Sequence, residues 1–239
     1  MKCDERFSRE TLLIGEEGLE RLASSAVIVF GAGGVGGYAI EALARAGVGR
    51  IDIADPDTIS LSNINRQILA LEETVGQSKA SLAASRIKSI NPLCDARPYE
   101  LFYSRQEQGE IDLVDYDYII DAIDTVSSKL FLIEEAARLG VPIICSMGTG
   151  NKLDPTRLTV SDIYKTNTCP LAAVIRRECR KRNIKKLKVI WSDEQPLKAT
   201  ASSAGGRHAP GSISFVPPVA GMIAAGEVIR NIAAGLAKK

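Results

Sequence analysis

Val27-Ile-Val-Phe-Gly-Ala-Gly-Gly-Val-Gly-Gly37 decides the reading of this chain. An apolar run ends directly in glycines, and a helical pattern begins at once. A short, continuous apolar run bounded by a turn signal reads as a buried strand. Gly31, Gly33 and Gly36 have the G-x-G-x-x-G spacing of a nucleotide-binding turn, with Gly34 beside them. The first lets the strand turn sharply, the second lets backbone approach a phosphate, and the third lets helix and strand pack closely. The helix that follows aims its free N–H groups at bound anions. Alone, the turn says nucleotide without saying which one.

Outward from the turn, strand and helix patterns alternate. Strands are expected over 26–30, 50–54, 96–102, 118–124 and 141–145, and helices over 34–46, 77–90 and 127–139. A helical stretch over 7–22 precedes the first strand. Beyond residue 151 the pattern loosens into strands over 158–163 and 188–191, a helix over 171–182, a small, polar loop over 199–211 and an apolar closing helix within 215–236. This alternation implies an α/β fold with a Rossmann-like, doubly wound, mainly parallel sheet and an elaborated C-terminal third. With no internal repeat and no sharp change of composition, residues 1–239 read as one domain. It divides into N-terminal helices (7–24), a nucleotide-binding core (25–150) and a C-terminal substrate and dimer region (151–239).

Composition narrows the function classes. Charged residues make up 25% and apolar ones 45% of the 239 positions, ordinary for a globular protein. The net charge of +1 gives no global field toward nucleic acid or membrane, so such a partner must meet a local patch. The five cysteines (Cys3, Cys94, Cys145, Cys169 and Cys179) are odd in number and form no C-x-x-C pair. They signal neither a disulfide framework nor a four-cysteine zinc clamp. The charged N-terminus lacks the apolar stretch of a signal peptide, so a cytoplasmic address is expected. The closing stretch is interrupted by Pro217, Pro218, Glu227, Arg230 and Asn231. A spanning helix needs about 20 predominantly apolar residues, so a buried or interface helix is expected and no integral membrane span.

Around the glycine turn stand residues suited to a polyphosphate. Asp55 lies 19 positions after Gly36, near the place where an acid binds ribose hydroxyls, and Asp57 follows it. A dehydrogenase then needs room for nicotinamide; this chain offers Asn65, Arg66 and Gln67, with Lys79 opening the next helix. Arg66 and Lys79 offset phosphate charge, and the amides bond phosphate oxygens or a ribose. Asp124, expected at a strand's carboxyl end, suits a Mg²⁺ bridging phosphates. The set describes in-line attack on an α-phosphate rather than hydride transfer. An NAD-binding oxidoreductase or a non-catalytic nucleotide sensor is the competing reading.

At these residues the chain resembles the ubiquitin-activating-enzyme-like adenylyltransferases, which include the activators of the molybdopterin and thiamine sulfur carriers. The matching stretches are Arg6-Phe-Ser-Arg9, Gly31-Ala-Gly-Gly-Val-Gly36, Asp55-Pro-Asp57, Ser62-Asn-Ile-Asn-Arg-Gln67, Gly76-Gln-Ser-Lys79 and Asp121-Ala-Ile-Asp124, in the family's order. The resemblance implies ATP held over the glycine turn without a Walker loop, Asp55 on the ribose, and Asn63, Arg66 and Lys79 near the phosphates. It implies Asp124 as the magnesium-organising carboxylate. It also implies a homodimer in which Arg9 reaches the neighbour's phosphates and stabilises charge on the transferred group. Two zinc-binding C-x-x-C pairs, common in carrier-activating members, are absent. The chain looks most similar to the tRNA threonylcarbamoyladenosine dehydratase branch, which implies adenylation of the modified base's carboxylate, displacement of AMP by an internal group and a cyclic product. A carrier-protein adenylyltransferase acting on a Gly-Gly terminus is the alternative, and a sulfur-transfer protein is a further candidate partner.

Plainer readings compete residue by residue. Asp124 could cap the following helix, and Arg6 and Arg9 could be surface residues. His208 reads as a solvated loop residue before a base, and Cys145 as core filler. Cys169, in Asn167-Thr-Cys-Pro170, has nothing beside it that marks an activated thiol. Between Arg176 and Lys188 eight cations face one acid, which reads as a solvated helix face or as an RNA-backbone patch.

Overall fold

The computed structural model describes residues 4–198 and 210–237; His208 and most of the expected 199–211 loop lie outside the described residues. The strands are β1 (Ala26–Phe30), β2 (Arg50–Ala54), β3 (Asp95–Tyr99), β4 (Tyr118–Asp121), β5 (Ile143–Ser146), β6 (Leu158–Asp162) and β7 (Lys188–Ser192). They form one seven-stranded sheet in the order β3-β2-β1-β4-β5-β7-β6. Every pairing is parallel except β6 with β7. The helices are α1 (Ser8–Ala23), α2 (Gly36–Arg45), α3 (Lys79–Ile90), α4 (Val126–Leu139), α5 (Pro170–Lys181) and α6 (Val216–Ala233).

β1 is apolar on both sides because helices cover both faces of the sheet. Val27 and Val29 join the cluster under α2, α3 and α6, whereas Ile28 and Phe30 join the one under α4. A third cluster packs α5 against β5 and β7 through Cys145, Ile175 and Trp191. Right-handed crossovers explain the division. From β1 the chain steps one way to β2 and β3, with α2 and α3 on one face. From β4 it steps the other way, with α4 on the opposite face. The strand order therefore reverses between β1 and β4, and their carboxyl ends part to leave a crevice.

Several boundaries differ from the sequence expectation. The strand expected over 118–124 stops at Asp121, so Asp124 lies three residues beyond it in the loop to α4. The strand expected over 96–102 is β3 and ends at Tyr99, where the Asp55 N–H takes the last carbonyl at 3.0 Å. The helix after the glycine turn begins at Gly36 rather than at 34, because the turn uses Gly33 and Gly34. As the expected N-terminal helices require, α1 is two helical pieces joined at a kink at the non-helical Gly15 (φ 73°, ψ 170°). The C-terminal third adds β6 and β7 to the same sheet, and α6 lies across α2. Its Pro217 and Pro218 sit in the first turn, where a missing N–H costs nothing. Among the described residues no helix is long and apolar enough to cross a membrane.

Two ionic ties lock the strands to the helices. The Lys129 Nζ donates to Asp121 Oδ2 at 2.7 Å and to the Ser146 carbonyl at 3.0 Å, with both charged side chains fully buried. The other Asp121 oxygen accepts the Ile123 N–H at 3.0 Å, so one pair joins the ends of β4 and β5 to α4. On the opposite face Glu227 of α6 accepts from Lys188 at 2.7 Å and from Arg230 at 2.6 Å.

Removing one member of the buried pair strands the other charge. Lys129→Met should cost about 3–5 kcal/mol in urea unfolding, and adding Asp121→Asn should restore most of it. The surface-side tie has a pH signature. Burial alone would raise the Glu227 carboxyl, but bonds from Lys188, Arg230 and Asn231 outweigh it and hold it at about 2. Its ordinary value is 4.5, so the tie's contribution is whole above that pH and is lost as pH falls toward 2. Glu227→Gln should cost about 1 kcal/mol at pH 7, solvent screening keeping it to that scale, and the loss should vanish in acid.

Candidate active site

A cleft of about 990 Å³ opens at the carboxyl ends of β1, β4 and β5. Its floor is the glycine turn. Gly31 has φ 88°, a left-handed conformation natural to glycine, and a Cβ there would press on the Ala122 carbonyl at 2.8 Å. A Cβ at Gly36 would fall on the Gly31 carbonyl oxygen, so α2 starts in direct backbone contact with the turn. Among the described residues no side chain caps α2; the Gly37 N–H bonds the Gly33 carbonyl at 2.9 Å, and the positive end of the helix faces the cleft at Gly33 and Gly34. Gly33 and Gly34 line the cleft; Gly36 lies behind it and serves the packing.

Asp55 braces this turn. Its Oδ2 accepts the Ala32 N–H at 2.6 Å and its Oδ1 the Asp57 N–H at 2.8 Å. Burial pushes its carboxyl above the usual range, against these two backbone bonds. Free lone pairs remain on both oxygens, and the residue lines the cleft. Lys79, the first residue of α3, is buried to 6% exposure and donates to Asp57 Oδ2 at 2.8 Å. Ser78 caps α3 and sets that position. Arg66 donates to the Ser62 carbonyl at 3.0 Å and to Asn65 Oδ1 at 2.9 Å. Gln67 beside it is buried, and its Oε1 has no hydrogen-bond partner among the described residues. An unsatisfied buried carbonyl costs about 1–3 kcal/mol, so this wall is shaped to receive a donor.

Asp124 lines the cleft as an exposed residue. It does not cap α4: Thr125 is the cap residue and receives no side-chain cap bond. Among the described residues the Asp124 carboxylate accepts a hydrogen bond from the Thr125 hydroxyl alone, at 3.4 Å, and is open to a cation. Among the described residues no three His, Cys, Asp or Glu side chains cluster as a metal cage. One carboxylate completed by phosphates and water is the usual arrangement for Mg²⁺, so the donor set fits that ion.

The remaining sequence candidates scatter. Asn63 stays off the cleft wall; its Oδ1 accepts the Ser60 N–H at 3.1 Å and closes the 60–63 turn. Arg9 is exposed on α1, away from the cleft within one chain, while Arg6 is held by Asp4 at 3.2 Å and Asn91 at 3.3 Å. Cys145 is fully buried core, as expected, and burial pushes its thiol well up. Cys169 is 1% exposed at the start of α5 and forms part of the cleft wall. Much of the basic run is neutralised within the fold: Arg176 donates to the Thr166 carbonyl at 2.7 Å, and Lys181 and Arg182 pair with Glu178. Lys185 and Lys186 precede β7, at the amino-terminal edge of the sheet opposite the cleft.

Sequence reasoning missed the buried Asp121–Lys129 pair, Ser128, whose buried Oγ has no partner among the described residues, and Lys152, whose Nζ donates to the Glu194 carbonyl at 2.6 Å. The available signal was charge inside apolar segments, at Asp121 and at Lys129. The cleft has an apolar end, with Phe30, Ala54, Leu101, Tyr103 and Ile123, suited to a flat base. Gly148, Asn151, Cys169, Leu171 and Ser212 line the same cleft, on residues that follow β5 and precede α6. The arrangement can hold a base, a ribose and a polyphosphate in line, with a further substrate beside the phosphates.

The ThiF family model matches residues 7–237. The tRNA threonylcarbamoyladenosine dehydratase of Bacillus subtilis (strain 168) is 44% identical over 95% of this chain and 94% of its own length. The tRNA N6-threonylcarbamoyladenosine dehydratase of E. coli, solved in complex with AMP, superposes with a TM-score of 0.88 at 34% identity, covering 97% of this chain and 95% of that one. The same enzyme in complex with ATP superposes with a TM-score of 0.87 at 33% identity, with the same coverage. The sulfur carrier protein adenylyltransferase of Thermus thermophilus is 36% identical over 59% of this chain and 52% of its own length. With a family match over almost the whole chain and relatives of this likeness, the chain belongs to the ThiF family.

Proposed function

We propose that this protein is an ATP-dependent tRNA threonylcarbamoyladenosine dehydratase. The observation that carries the reading is the gathering of Asp55, Arg66, Lys79 and Asp124 around an uncapped helix start, with space for a second substrate alongside. A carboxylate oxygen of the modified adenosine attacks the α-phosphorus of ATP, and pyrophosphate leaves as the new O–P bond forms. A nucleophile within the same modified nucleoside then attacks the activated carbonyl, AMP departs, and the ring closes with net loss of water. Ring closure is fast because the reacting groups are already tethered. Asp55 holds the ribose, while Arg66 and Lys79 offset the phosphate charge. Asp124 would hold Mg²⁺, which supplies charge neutralisation at the phosphates when bound.

One sheet running from β3 to β6 supports reading the chain as a single adenylation domain. Cys169 needs no thioester role in this scheme. The carrier alternative is supported less, since the Thermus relative matches 59% of the chain against 95% for the Bacillus one. A tRNA substrate goes with the cytoplasmic address. The homodimer expected from Arg9 is supported by its neighbours: Leu12 and Leu13 are 86% and 87% exposed on α1, an apolar pair suited to a second copy.

With ATP, Mg²⁺ and threonylcarbamoyl-modified tRNA, the expected nucleoside product is lighter by one water. Pyrophosphate exchange stimulated by a Gly-Gly carrier and not by this tRNA would instead establish the alternative. Asp124→Ala should abolish AMP formation with the fold intact by circular dichroism, and Cys169→Ala should stay active. Arg9 is tested by subunit mixing. Arg9→Ala and Asp124→Ala should each be inactive alone. Random mixing leaves one whole site in each mixed dimer and should restore about a quarter of wild-type activity. No recovery after confirmed subunit exchange would remove Arg9 from the neighbour's site.

A further inference from the structure

A second cavity of about 860 Å³ lies on the α4–α5 face and joins the cleft at Phe102 and Ser128, which line both. It is a trough. Its floor is the outer side of α4, with Ser127, Phe131 and Glu134; its walls are the 102–106 segment and α5. Arg105, Arg177 and Arg182 rim it, against the carboxylates of Glu134 and Glu178. Arg182 is spent on the fold, bound to Glu134 at 2.5 Å and to Glu178 at 2.5 Å. Arg105 and Arg177 stand out: their side chains are 69% and 67% exposed, with single ion-pair contacts at 3.0 Å and 3.5 Å. The Arg105 guanidinium also lies 5.3 Å from the centre of the Phe131 ring, another residue lining the trough.

Three features of the place where trough and cleft meet point to a nucleic-acid strand. Phe102 is 43% exposed on the shared lip, an aromatic face presented to solvent beside a nucleotide site. Ser128 Oγ is buried there without a hydrogen-bond partner among the described residues. The cation surplus lies along the trough and not around the cleft mouth. Aromatic stacking beside a basic groove is how single-stranded nucleic acid is held without reading its sequence.

We propose that this trough holds the single-stranded RNA flanking the reacting nucleotide, with a neighbouring base stacked on Phe102 and the strand's phosphates facing Arg105 and Arg177. The proposal rests on the tRNA reading above. It gives the chain an RNA track on α4 and α5 rather than on the 185–186 turn, which lies at the far edge of the sheet.

The test is steady-state kinetics of the full chain on modified tRNA, with salt dependence of RNA binding. Arg105→Glu/Arg177→Glu should raise KM for tRNA at least tenfold, leaving kcat at saturating tRNA and KM for ATP unchanged. Its log–log salt slope should shrink by about 1.4, one single-strand phosphate contact for each arginine. Lys88→Glu/Arg97→Glu, an equal change of net charge near β3, should leave both values as in the wild type. If the charge reversals disturb the fold, as unaltered ATP binding will report, Arg105→Ala/Arg177→Ala should show the same pattern with a smaller rise in KM. A wild-type KM and slope in both double variants overturns the trough while the dehydratase reading stands. An equal shift in the Lys88/Arg97 control overturns it too. Absence of any conversion by the wild type removes the parent reading and the trough with it.

Discussion

There is no room for a side chain where α2 leaves β1. A Cβ on Gly36 would fall on the Gly31 carbonyl, and one on Gly221 of α6 would fall on the Val35 carbonyl. The start of α2 is thus gripped from both sides by backbone alone, the end of β1 on one side and α6 on the other. Close approach of this kind brings the helix start down to the strand ends and leaves no cap over it. The cleft and the position of α6 both follow from this contact. The rest of the site is assembled on it: Asp55 reaches across from β2 to hold the Ala32 amide, and the 122–125 loop passes against Gly31.

Charge in the cleft is prearranged rather than free. Lys79 is almost fully buried and already bonded to Asp57, so its ammonium is aimed before any phosphate arrives. Arg66 is held by a carbonyl and an amide oxygen rather than by a carboxylate, and keeps its full charge available. The buried Lys129 performs a different task. By bonding Asp121 and the Ser146 carbonyl together it fixes the distance between the ends of β4 and β5, which carry opposite sides of the cleft. Desolvated pairs of this sort contribute little net stability against an apolar replacement. Their effect here is geometric.

What the sequence made legible were features with local signatures. The apolar β1, the glycine spacing, Lys79 behind its Ser78 cap and the parallel core each depend on residues close together in the chain. What it hid depends on tertiary geometry. Asp124 reads as the end of a strand because Tyr118 to Ile123 is mostly apolar, but the ladder ends at Asp121 where β1 runs out of partners. Asn63 has the composition of a phosphate ligand and the position of one, yet its amide oxygen closes its own turn. β6 is legible as a strand over 158–163, but nothing local marks its antiparallel pairing with β7. The run of cations from Arg176 to Lys188 is uniform as text, whereas folding spends Arg176, Lys181, Arg182 and Lys188 on internal partners.

On the face that carries α1, α2, α3 and α6, Leu12 and Leu13 are exposed on α1 beside Arg9, with Glu16, Glu17 and Glu20 further along the helix. On the proposed homodimer reading a second copy of the chain would cover this leucine pair, since burial of such residues drives association. On the face of α4 and α5, Phe102, Arg105 and Arg177 are exposed along the trough, which meets the cleft at Phe102 and Ser128. On the proposed dimeric reading, the tRNA and the neighbouring subunit reach one pocket and need approaches from different sides. The reversal of strand order at β1 and β4 supplies them, because it places the crossover helices of the two halves on opposite faces while their strands share one crevice.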